Sequence, residues 1–339
     1  MDLKEAAKVT QAMAKPIISL DLGENYYDPR DFVEATVYGE ELGFKRLWFG
    51  DHFMPWFHTS DRSSFVWSVM ASALERTKKV QLGPLVTTPI GARYHPALVA
   101  QASATLDNMY PGRFLVSVGA GEAVNEVPFW NDRWPDWQER MDRLCEGLTL
   151  MEKLWTAPRH FSFKGKYFSS DFYYMYTKPR TRLEMYFSAV GPKAAYRAGR
   201  YGDHLVTLSP WNNAERIRDV ILPEFRKGQK DAKKKAGGLV VHLDFAFKSH
   251  AQVLKDSRHE LTPFVKNSVD IRTPIALENA TRTLTAKRLS KFIHSCKNWD
   301  DLIKVLDEYI EVGANEIILF TPPNKKEMEA AARNVLSVF

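Results

Sequence analysis

The sequence predicts an α/β fold of the (β/α)8 barrel (TIM barrel) type with insertions, on three observations. Apolar runs of strand length alternate with helical periodicity about eight times along the chain. The turn after the first strand, Gly23-Glu24-Asn25, lacks the glycine fingerprint that opens a doubly wound dinucleotide-binding sheet. The 339 residues suit one barrel domain spanning 1–339, with insertions near 157–182 and 250–297.

Pro16 to Leu22 reads as the first strand, and Asp28-Pro29 opens a helix because proline at the first helical position needs no amide partner. The aromatic run from Arg46 to Gly50 is a second strand, followed by a helix over Ser64 to Glu75 in which Phe65, Val66, Val69, Met70 and Ala73 recur at helical spacing. Val80 to Val86 is a third strand; His95-Pro96 starts the next helix and Pro111-Gly112 ends it. Arg113 to Val118 is a fourth strand, and Trp137 to Leu154 a long amphipathic helix. The aromatic-rich stretch from Ala157 to Arg182 reads as an irregular insertion with short strands. Alternation resumes with Leu183 to Ser188, a helix over Pro192 to Tyr201, a strand over His204 to Thr207, a helix over Asn213 to Lys235 and a strand over Leu239 to Phe247. His250 to Lys297 is helical and irregular, without strand signals; a helix over Trp299 to Glu311, a strand over Glu316 to Phe320 and a helix over Asn324 to Phe339 close the chain.

Composition narrows the function. Hydrophobic residues make up 45% and charged residues 26%, as in a folded, water-soluble protein. The net charge of +6 comes from lysines spread over helices, which points to a solvated basic surface able to favour anionic ligands and not to a nucleic-acid partner. Two cysteines, Cys145 and Cys296, give neither a disulfide framework nor zinc spacing, and His52 and His58 form no metal motif, so no metal is expected. The first 15 residues are too charged for a signal peptide and no apolar run could span a bilayer, so a cytoplasmic protein without a membrane or nucleic-acid partner, acting on a small molecule, is expected.

In a parallel barrel the carboxyl ends of the strands share one mouth. That rule gathers Glu24, Asn25, Asp51, His52, Trp56, Thr87, Thr88, Glu122, Asn125, Gly191, Ser209 and Trp211. His52 and Glu122 are the pair suited to proton transfer near neutral pH. Gly119-Ala120-Gly121 has Val124 where a dinucleotide motif needs a third glycine, so its small residues read as letting the backbone approach a flat ring.

Several motifs in this order carry a resemblance: Asp51-His52-Phe53-x-Pro55-Trp56, then Arg93-Tyr94-x-Pro96-Ala97-x-Val99-Ala100-Gln101-Ala102-x-Ala104-Thr105-Leu106, then Tyr110-Pro111-Gly112-Arg113, then Gly119-Ala120-Gly121-Glu122-Ala123-x-Asn125-Glu126. Over nearly the whole chain they resemble the bacterial luciferase-like superfamily, and within it the branch that uses the deazaflavin coenzyme F420, with its secondary alcohol dehydrogenases and glucose-6-phosphate dehydrogenases. The resemblance implies a hydride exchanged between F420 and a secondary alcohol or sugar lactol. It implies His52 as the base, Trp56 as a substrate-positioning group and Glu122 as the acid near the ring's pyrimidine edge. It implies that Asp51, Thr88, Asn125 and the turn Ala189-Val190-Gly191 hold the coenzyme, with a non-proline cis peptide at Leu85-Val86, and that the protein is a homodimer.

The chain departs from that pattern on the substrate side. The family's loop glutamate falls at Asn25, with Glu24 beside it. The three basic positions that grip a sugar phosphate fall at Trp211, Ser268 and Lys291, with Lys266 nearby, and one cation makes a poor anion clamp. Tyr176-Thr177-Lys178-Pro179 and Tyr201-Gly202-Asp203-His204 resemble the alcohol branch, whereas Thr273-Pro274-Ile275-x-Leu277-Glu278-x-Ala280 resembles the sugar-phosphate branch. The alternatives are glucose-6-phosphate dehydrogenation itself, an FMN-dependent monooxygenase of the same superfamily, and a barrel that binds a flavin-like ligand without catalysis.

Overall fold

The computed structural model describes residues 15–23, 27–209, 211–320 and 324–339. Eight parallel strands form the barrel: β1 (Ile17–Asp21), β2 (Arg46–Phe49), β3 (Gln81–Pro84), β4 (Val116–Val118), β5 (Met185–Ser188), β6 (His204–Ser209), β7 (Leu239–Ala246) and β8 (Ala314–Phe320). They run in the sheet as β3-β2-β1-β8-β7-β6-β5-β4. Isolated parallel bridges, Leu82 to Phe114 and Thr87 to Val118, bring the β3 and β4 edges together and nearly close the ring. The strands are mostly apolar because helices cover their outer faces and their inner faces pack on one another, with polar residues such as Glu316 and His242 as exceptions.

The crossover helices are α1 (Pro29–Glu41), α2 (Val66–Arg76), α3 (Pro96–Met109), α4 (Trp137–Thr156), α5 (Pro192–Tyr201), α6 (Leu222–Asp231) and α7 (Trp299–Glu311). Their starts are written in the chain. His95 accepts the Ala97 amide through Nδ1 at 3.1 Å ahead of Pro96, and Asp136 accepts the Glu139 amide at 2.8 Å ahead of Trp137. Two expected helices differ: Asn324 to Phe339 is α-helical over Lys325–Ala331 and then π over Ala332–Leu336, and Asn213 to Lys235 divides into Ala214–Arg216, a π-turn over Ile217–Ile221, and α6. Pro223 has no amide to donate back along the helix, and the wider turn lies just before it.

Side chains fill the barrel. Trp48, Leu115, Tyr186, Val206, Val240 and Ile318 pack within it. Beside Trp48 the buried Glu316 accepts hydrogen bonds from Ser19 Oγ (2.7 Å), Trp48 Nε1 (2.7 Å) and Arg46 (2.6 Å). The segment near 157–182 is a two-stranded antiparallel hairpin, Phe161–Lys164 against Ser169–Tyr173. The segment near 250–297 is helical as expected and has a separate apolar core of Val253, Leu254, Leu261, Val265, Leu277, Leu284, Leu289 and Ile293, onto which Met54, Trp56 and Val124 pack. That insertion also contains a two-residue strand, His294–Ser295, paired with Phe245 and Ala246, which is too short to leave a periodic signal. Among the described residues no helix is long and apolar enough to cross a membrane.

Candidate active site

The strand ends bring His52, Trp56, Glu122 and Asn125 to one face of the barrel. Three residues of loop separate His52 from Trp56, and their rings meet edge to face, with centroids 5.5 Å apart and planes at 86°. His52 is buried to 9% exposure, while Trp56 is half-buried against the 250–297 insertion. Thr59 donates twice to the Glu278 carboxylate of that insertion, at 3.1 and 3.2 Å, so the His52 loop is held between barrel and insertion.

Glu122 begins the short helix Ala123–Glu126 that follows β4. Asn125, one turn on and 1% exposed, donates Nδ2 to Glu122 at 3.3 Å. Its Oδ1 accepts the amides of Phe53 at 2.8 Å and Met54 at 3.2 Å. One amide side chain therefore joins the two loops that carry the proton-transfer candidates. The glycines before Glu122 serve internal packing: a side chain at Gly119 would meet Val86 at 2.4 Å, and one at Gly121, whose φ is +78°, would meet Thr88 at 2.7 Å. Val86 and Thr88 thus demand small residues at 119 and 121 by themselves.

Asp51 is turned into the protein. Its carboxylate accepts from Thr87 Oγ1 (2.5 Å), Trp67 Nε1 (3.3 Å), Tyr94 OH (3.0 Å) and Arg93 (2.9 Å). Those four donors match the lone-pair capacity of a carboxylate, so Asp51 offers a ligand a fixed strand end and no spare acceptor. Burial and the Asp51 charge push the Tyr94 hydroxyl far above the usual phenol range.

The peptide Leu85-Val86 is cis, and both residues are half-buried. Across the mouth, Ala189 is buried and Val190 is 37% exposed. Asn212 donates to the Val190 carbonyl at 3.0 Å and fixes this turn. A side chain at Gly191 would find no atom within 4 Å, so the turn opens onto free space. Glu24 and Asn25 lie outside the described residues. Trp211, Lys266 and Lys291 are exposed, and Trp211 stacks on Phe292 with centroids 4.9 Å apart at 21°.

Two polar groupings escaped the sequence. Glu126, inside a quoted motif but given no role, is 1% exposed and accepts the Arg93 amide at 3.1 Å. Burial pushes its carboxyl up to about 7, although Arg93 pulls the other way. Its spacing of four from Glu122 was the available signal. At the carboxyl ends of β1 and β7, His242 meets Asp21 at 3.0 Å and Asp244 at 3.6 Å. Burial alone would lower the His242 imidazole, but the Asp21 hydrogen bond and the two carboxylate charges outweigh it and raise it; burial lifts Asp244 to about 6. Polar residues alternating within Leu239–Ala246 marked this inward face.

A family model described as luciferase-like monooxygenase matches residues 12–286. An F420-dependent glucose-6-phosphate dehydrogenase of Gordonia bronchialis is 33% identical over 304 residues, covering 87% of this chain and 88% of that one. The structure of an F420-dependent secondary alcohol dehydrogenase in complex with an F420-acetone adduct superposes with a TM-score of 0.87 at 31% identity, covering 96% of this chain and 100% of that one. The F420-dependent tetrahydromethanopterin reductase from Methanopyrus kandleri, at 19% identity and a TM-score of 0.71 over 96% of this chain and 100% of that one, shares the fold.

Proposed function

The chain belongs to the luciferase-like monooxygenase family, and from that premise and its barrel mouth we propose an F420-dependent oxidoreductase that exchanges a hydride with a secondary alcohol or sugar lactol. The observation that carries this reading is the joining of the His52 loop to the Glu122 turn through Asn125, beside Trp56. The residues present suit the coenzyme: the half-buried Leu85 and Val86 and the open turn at Ala189, Val190 and Gly191 would give its ring an apolar cradle at the strand ends.

When bound, F420 supplies the deazaflavin ring that accepts or returns the hydride. His52 takes the hydroxyl proton, because loss of hydride builds positive character on the carbinol carbon and a base acting in the same event lowers the barrier. Trp56, braced by the insertion, positions the substrate over a fixed distance. Glu122 holds a proton at the ring's polar edge. Asp51 and Thr87 keep the strand ends in register, Thr88 would lie against the coenzyme, and Asn125 keeps base and acid in fixed relation.

By the resemblance, Trp211 takes a position that is basic in the sugar-phosphate branch, and here it is an aromatic stacked on Phe292, which supports a neutral alcohol or lactol over glucose 6-phosphate. The reading extends to a cytoplasmic enzyme, supported by two free, buried cysteines, and to a homodimer, which light scattering tests. The test of the activity is anaerobic loss of oxidised F420 absorbance on adding protein with isopropanol and, separately, with glucose 6-phosphate. Loss with isopropanol is expected; FMN binding without F420 binding would overturn the reading.

A further inference from the structure

Outside the mouth, a cleft of about 450 Å³ runs between α4, α5 and α6, with Trp137, Lys193, Tyr196, Arg197, Glu224 and Lys227 among its walls. Its upper end lies at the level of the mouth, because α5 starts at Pro192, directly after the open turn at Gly191. Three cations face one carboxylate across it. Lys193 and Lys227 are exposed and point no ion-pair contact at a neighbour among the described residues. Arg197 lies over the Trp137 ring at 5.3 Å and donates to Asp142 at 2.9 Å, while its second terminal nitrogen, NH1, is buried with no hydrogen-bond partner. Tyr196 is anchored from the far side through Asp231 at 2.8 Å. Gly191 brings no side chain to cap α5, so the first-turn amides add positive character at the cleft entrance.

We propose that this cleft takes the anionic tail of the coenzyme, with Lys193, Arg197 and Lys227 as its counter-charges. The inference rests on the F420 reading above. F420 carries, beyond its ring and ribityl chain, a phosphodiester and γ-linked glutamates, a flexible run of negative charges too polar for the apolar cradle. Gly191 adds no side chain at the turn, and Pro192, the next residue, already lines the cleft, so the turn joins the two regions along the chain. A cleft with a net positive lining selects an oligo-anion through summed, salt-sensitive contacts.

The test is fluorescence titration of the full-length protein with three probes: the tail-less deazaflavin nucleoside FO, F420 with one glutamate, and F420 with several. The parent protein should bind the longer tail more tightly, and this preference should fade as salt is raised. A Lys193→Gln/Lys227→Gln variant, altered only at exposed positions, should bind long-tailed F420 about fivefold more weakly at low salt and FO unchanged, as expected for two surface charge contacts. Equal affinity of parent and variant for long-tailed F420, with FO bound by both, would overturn the tail site and leave the F420 reading standing. Binding of neither deazaflavin by the parent would overturn both.

Discussion

The side-chain oxygen of Asn125 accepts the backbone amide of Phe53 at 2.8 Å, one residue beyond His52. The same side chain donates to Glu122, so the distance between base and acid depends on a residue that need not touch substrate. Asn125→Ala should lower kcat/KM about tenfold to a hundredfold, because small misplacements of catalytic groups are costly. The loss should fall on kcat with isopropanol, measured by F420 absorbance; a change confined to coenzyme affinity would reduce Asn125 to a ligand contact.

His52→Ala removes the proposed base while leaving the Asp51 network, which fixes the strand end, intact. Turnover should drop by about 10²- to 10⁴-fold with coenzyme affinity nearly unchanged, since a base acts in the transition state. Single-turnover reduction of F420 beside an equilibrium titration separates the two quantities, and undiminished turnover would remove His52 from the mechanism.

The residues that announced themselves in the sequence did so by position. His52 and Glu122 follow strands, and the barrel rule alone sends both to one mouth. The strand count was legible for the same reason, since β-α alternation is written in periodicity. Illegible were pairings between distant segments: nothing local told that Asp51 would meet Arg93 and Tyr94, or that His242 would find Asp21 across 221 residues. The glycines at 119 and 121 were ambiguous because a small residue has the same signature whether a ligand or neighbours such as Val86 and Thr88 require it. The insertion hid its part in the site, since its contacts with Met54 and Trp56 are apolar and could have belonged to any core.

Glu126 gives a pH prediction. Its carboxyl is held at about 7 in the folded chain against an ordinary 4.5, so between these values the folded state binds the extra proton. Its contribution to stability is complete below about 4.5 and is lost as pH rises towards 7. Glu126→Gln, which mimics the protonated form, should flatten the fall in thermal midpoint across that window. Parallel profiles for parent and variant would place the proton elsewhere.

Below the mouth, Glu316 holds three strands together. It draws Ser19 from β1 and both Arg46 and Trp48 from β2 onto one carboxylate in β8, with its own side chain 1% exposed and that of Arg46 17% exposed. Glu316→Ala would leave the Trp48 N–H and the Arg46 terminal nitrogen that faces Glu316 without that acceptor, while Arg46 Nε keeps its 2.8 Å bond to Gln81, a penalty of about 3 kcal/mol for breaking a buried pair from one side. Glu316→Gln keeps an oxygen for Trp48 and Ser19 and loses only the charge facing Arg46, so its cost should lie between parent and alanine variant. Urea unfolding followed by tryptophan fluorescence reads this order, because Trp48 reports the packing beside the network. The folded fraction of each variant should still bind F420 with parental affinity, since β8 reaches the mouth only at its far end. An alanine variant as stable as the parent would show that the carboxylate's desolvation cancels what its three donors contribute.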